Sequence, residues 1–78
     1  SPVANLNAGL TAIGHDELDM ARAYLAKAGN LPEADYARGI LEAKAGNYTR
    51  AVELLQAAKG VAEAQAAIDR LRELKLID

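Results

Sequence analysis

Apolar residues recur along this chain at helical spacing. Leu18, Ala21, Leu25 and Ala28 fall at i, i+3, i+7 and i+10, which is one stripe of a helix. Tyr48, Ala51, Leu55 and Ala58 repeat that stripe, and Val61, Ala64, Ile68, Leu71 and Leu74 form a third. Gly14, Gly29, Gly46 and Gly60 stand where helices are expected to stop, because Gly is favoured just past a helix C-terminus. Each is followed by a start signal. Asp16 is the expected N-cap of the second helix, with Glu17 and Asp19 in its positive first turn. Pro32 suits a first helical position, Asn47 caps a segment opening at Tyr48, and Ser1-Pro2 reads as cap and first position. The pattern predicts five helices, near residues 3–13, 17–28, 32–45, 48–59 and 61–75. Their short connections force neighbouring helices to run antiparallel, as hairpins.

Composition agrees with this reading. Of the forty apolar residues among 78, eighteen are Ala and eleven are Leu, and Phe, Trp and Cys are absent. Ala and Leu head the helix-propensity scale. A sheet protein draws instead on Val, Ile, Thr and aromatics, of which there are few here: three Val, four Ile, two Thr and three Tyr. The expected class is all-α, in one small domain. Without Cys there is neither a disulfide scaffold nor a thiolate metal site. A net charge of −2 with acids and bases interspersed argues against a nucleic-acid partner. No apolar stretch approaches the ~18 residues that span a bilayer, so direct membrane insertion is not expected. The start Ser1-Pro2-Val3, without Met, suggests a piece of a longer chain.

The chain also repeats itself. At an offset of thirty residues Pro2 meets Pro32, Ala4 meets Ala34 and Gly9 meets Gly39; Ala21 meets Ala51, Leu25 meets Leu55 and Ala28 meets Ala58. A third, half-length copy begins at 61, where Glu63, Ala64, Ala67 and Leu71 match Glu33, Ala34, Ala37 and Leu41. Gly inside a helix costs about 1 kcal/mol relative to Ala. Gly9 and Gly39 are therefore expected where a neighbouring helix comes close, facing the small residues Ala21, Ala28, Ala51 and Ala58.

On these residues the sequence resembles the tetratricopeptide family. The second copy matches its pattern through Tyr36, Gly39, Gly46, Tyr48, Ala51, Leu55 and Ala58, and the first through Leu6, Gly9, Leu18, Ala21, Leu25 and Ala28. The run Lys27-Ala28-Gly29, then Pro32-Glu33-Ala34, Tyr36 and Gly39, is also similar to helical repeats of bacterial cell-envelope proteins. Three features depart from the family. The period is about thirty rather than 34 residues, Asn5 and Asp35 replace an aromatic, and Arg38 and Glu42, read as an i,i+4 pair, occupy usually apolar inward positions. The resemblance implies a right-handed stack of two antiparallel hairpins, residues 1–30 and 31–60, plus a terminal capping helix or half repeat, 61–78. It also implies a concave ligand face lined by Leu6, Leu10, Ile13, Tyr36, Ile40, Lys44, Glu63 and Arg70. The family's clamp for a terminal carboxylate is missing, because Leu6, Leu10, Tyr36 and Ile40 replace its Lys and Asn.

Catalytic chemistry has no foothold. His15 is the only His, and one imidazole beside Asp16, Glu17 and Asp19 lacks zinc-site spacing. The only Ser is Ser1, and the glycines are scattered rather than gathered in a phosphate loop. Asn47-Tyr48-Thr49 fits a glycosylation sequon but is read as a helix cap. The expectation is a non-enzymatic module, without cofactor or metal, that binds a protein or peptide as part of a larger protein. The alternative is a spacer or self-association element whose apolar tail, Leu74, Leu76 and Ile77, meets a further repeat or a second copy. The compartment, cytoplasm or bacterial cell envelope, stays open.

Overall fold

A computed structural model describes residues 1–78 and is all-helical. Its five helices are α1 (Pro2–Gly14), α2 (Leu18–Leu25), α3 (Pro32–Lys44), α4 (Tyr48–Ala57) and α5 (Ala62–Glu73). The thirty-residue period survives in three dimensions: first helices open at 2, 32 and 62, second helices at 18 and 48. α1 packs on α2 and α3 on α4; α3 also touches both α1 and α5, while α2 and α4 make no backbone contact. The result is a slab of 36 × 25 × 16 Å, with the first helices side by side.

Alanine and glycine set the spacing. Eight of the sixteen buried apolar residues are Ala. A Cβ built on Gly9 would lie 2.6 Å from Leu25 Cδ2 and 2.7 Å from its Cγ. One built on Gly39 would lie 2.7 Å from Leu55 Cγ and 3.3 Å from the Ala51 carbonyl oxygen. Each hairpin is thus closed by a Leu of its second helix seated on a Gly of its first. α5 lacks this seat, because Asp69 occupies the corresponding position. Gln65 donates to Asp69 at 3.0 Å, and Arg72 approaches Asp69 at 3.5 Å. This face of α5 is polar and solvent-exposed.

Helix ends correct several expectations. Ser1 caps α1 as expected, accepting from the Ala4 N–H at 3.1 Å, and Pro2 and Pro32 occupy first positions. Gly29, Gly46 and Gly60 have positive φ, but Gly14 does not. It is Asp16, with φ 57°, that turns the chain out of α1. The Asp16 N–H donates to the Ile13 carbonyl and the Glu17 N–H to that of Ala12. Gly46 and Asn47 repeat this pair of bonds on Ala43 and Glu42, and Lys75 and Leu76 repeat it after α5. Asp16 is therefore a helix stop rather than an N-cap, and neither Glu17 nor Asn47 caps through its side chain. Left-handed backbone is strained for any residue with a Cβ. Asp16→Gly should therefore raise stability by about 0.5 kcal/mol, or about 2–4 °C in a thermal melt. No gain in melting temperature would contradict the assigned turn.

The second helix also ends earlier than predicted, at Leu25 rather than 28. Arg38 explains the stop. Its Nε and Nη2 donate to the Leu25 carbonyl at 3.2 and 2.7 Å, and Nη2 also reaches the Gly29 carbonyl at 2.7 Å. The Leu25 oxygen ends α2 and has no partner within that helix, while Gly29 lies in the turn beyond it. Arg38 and Glu42 are therefore not a pair. Glu42 reaches across to Arg22 in a two-point contact and accepts from Asn47 Nδ2 at 2.9 Å. Both residues brace the second hairpin against the first.

Candidate functional site

Four clefts combine apolar with charged side chains, and two of them are lined by α3, the helix that joins the hairpins. The smaller, about 220 Å³, lies among α2, α3 and α4 and presents Arg22, Arg38, Arg50 and Glu42 over Leu25, Leu41 and Leu54. Three of its four charged groups are already committed. Arg38 is spent on backbone carbonyls, and Arg22 and Asn47 hold the Glu42 carboxyl below the ordinary carboxylate range. Hydrogen bonding to Arg22 is the main cause of that shift, and Arg22 is raised in turn. This pocket is a structural joint.

A depressed carboxylate stabilises the fold above its unfolded pKa and loses that contribution as pH falls through its folded value. Stability should therefore start to drop near pH ~4–5, where unfolded Glu takes up a proton. With Arg22 half exposed, the pair is worth only about 1 kcal/mol. Urea melts of Glu42→Gln should show a correspondingly shallower acid limb than the parent. Identical limbs would remove the brace from the account.

The larger cleft, about 370 Å³, runs between α3 and α5. Ile40, Ala43 and Lys44 of α3 face Ala67, Arg70 and Leu71 of α5 and Leu74 at its C-cap, with Tyr48 and Leu55 of α4 beneath and Leu76 at one end. Eight of its ten lining residues are hydrophobic. Buried Leu55 and Leu71 form the floor, while Leu74 and Leu76 are 50% and 40% exposed at the rim. The repeat shows why this space is open. Thirty residues earlier, Ile13 stands where Ala43 stands, and Ile13 is buried in the core formed by α1, α2 and α3. Ala43 leaves that volume unfilled. The resulting space lies toward the lower end of the ~300–1,000 Å³ range of ligand clefts.

Of the residues expected on the ligand face, Ile40, Lys44 and Arg70 meet in this groove. Leu6 and Ile13 do not; at 8% and 6% exposure they belong to the core, because they fill the first hairpin's closure. Tyr36 is half-buried against the second core cluster. Leu10 is exposed on α1 and Glu63 on the first turn of α5, both outside the groove. Ala43 and Ala67 were not expected on the ligand face, although the Ile13-to-Ala43 exchange between copies was a visible loss of volume; Leu74 and Leu76, expected in an apolar tail that meets a further repeat or a second copy, line the groove rim.

His15 lies exposed, 3.5 Å from Glu17, and no group of three His, Cys, Asp or Glu is placed to hold a metal. No helix is long and apolar enough to cross a membrane. Compared with known protein families, with curated proteins and with solved structures, the chain matches none.

Proposed function

We propose that this chain is a protein-binding module of tetratricopeptide-like build, holding a partner segment in the groove between α3 and α5 and performing no catalysis. The groove carries the reading: it is apolar, open at its rim and unfilled by the chain's own side chains. Selection from a random peptide library, followed by NMR mapping of a selected peptide, tests it. The expected shifts fall on Ala43, Ala67 and Leu74. Shifts confined to other faces would refute it.

A spacer role draws on one separate observation. Tyr24 is 36% exposed where its repeat counterpart Leu54 is 7% exposed, in the cleft it lines with Arg22, Leu25 and Ala26 of the preceding hairpin. Under that reading, sedimentation shows concentration-dependent association through the α1–α2 end, and groove substitutions leave it unchanged.

A further inference from the structure

The groove's charge goes beyond its shape. The chain carries net charge −2, yet the groove lining holds one Lys, one Arg and no carboxylate. Lys44 and Arg70 are not tied down. Lys44 Nζ lies 3.9 Å from Asp16 and Arg70 Nη1 lies 3.8 Å from Glu73, both beyond hydrogen-bond distance and both among exposed groups. The arginines of the other cleft that hold the hairpins together are anchored at hydrogen-bond distance to carbonyls or to Glu42.

Two weakly held cations above an apolar floor complement a segment with apolar side chains on one face and carboxylates beside them. The flanking walls are themselves helices, presenting Ile40 and Lys44, and Ala67, Leu71 and Leu74, at i, i+4 and i+7 spacings. Such a trough suits a helix laid along it.

Resting on the groove reading above, we infer that the α3–α5 groove takes an acidic amphipathic helix of a partner protein, with two leucine-sized side chains over Ala43 and Ala67 and its carboxylates against Lys44 and Arg70. The apolar side chains supply most of the affinity. The rim charges supply preference and on-rate, and are screened by salt.

The test uses two blocked Ala/Gln-based helical peptides, each with two Leu one turn apart. One has flanking Glu, the other flanking Lys, and neither has a free terminal carboxylate. Titrated into the full chain, the Glu peptide should bind below ~1 mM and about 3- to 10-fold more tightly than the Lys peptide. That preference should vanish in ~1 M salt. Lys44→Glu combined with Arg70→Glu, both exposed, should reverse it, and Ala43→Ile, which fills the groove, should abolish binding while the helical melt is retained. Equal binding of both peptides, lost in Ala43→Ile, would overturn the charge inference and leave the groove reading standing. Binding that survives Ala43→Ile would overturn both. Failure of the Glu peptide to bind at all would overturn the inference.

Discussion

Ala51→Glu should leave the chain unfolded. Ala51 has no exposed surface, and its carbonyl oxygen would lie only 3.3 Å from a Cβ on Gly39 of the facing helix. A carboxylate placed there has neither room nor partner. Burying an unpaired charge, or the protonated acid with its overpacking, costs several kcal/mol. A domain of this size has only about 4–12 kcal/mol of stability to lose. Ala57→Glu, on the exposed side of the same helix, is the control and should change stability by less than ~0.5 kcal/mol. Circular dichroism and urea melts of the two variants check the contrast. A folded Ala51→Glu variant melting like its parent would mean that this seam is not buried.

Much of this arrangement was legible from local chemistry. The Ala and Leu stripes and the thirty-residue offset specified five helices in hairpins, and the two interior glycines pointed to close approach before any distance was known. One miss depends on partners distant in the chain, and another on a residue type that suits two local roles. Whether Arg38 pairs with Glu42, four residues on, or reaches the end of α2 turns on how the hairpins stack, and the longer reach wins because it meets the Leu25 and Gly29 carbonyls at once. Asp16 looked like a cap because Asp favours both N-caps and left-handed turns. Its alignment with Gly46, thirty residues on, held the answer.

The groove was half legible. Ile40, Lys44 and Arg70 came from the groove positions that the tetratricopeptide resemblance implies, but Leu6 and Ile13, carried over in the same way, are buried. Periodicity gives a helix's apolar face without saying how far a neighbour covers it. That coverage is decided by side-chain volume, and here by Ala43 standing where Ile13 fills the other unit.

The closure of each hairpin on a glycine is open to a sharper experiment than burial alone. Leu55→Ala should cost about 2–5 kcal/mol, since Leu55 is 2% exposed in the second core cluster. Gly39→Ala should cost about 1–2 kcal/mol, because overpacking against Leu55 outweighs the ~1 kcal/mol gained in helix propensity. Combined, the two changes should not add. With Leu55 shortened, the two closest contacts vanish and only the 3.3 Å approach to the Ala51 carbonyl remains, so the new methyl keeps most of its propensity gain.

The direct measurement is therefore the effect of Gly39→Ala in the two backgrounds, by urea denaturation. It should destabilise the parent and stabilise the Leu55→Ala variant by about 0.5–1 kcal/mol. If Gly39→Ala has the same effect in both, Leu55 does not rest on Gly39, and the close helix approach that defines this fold and frames its groove is wrong.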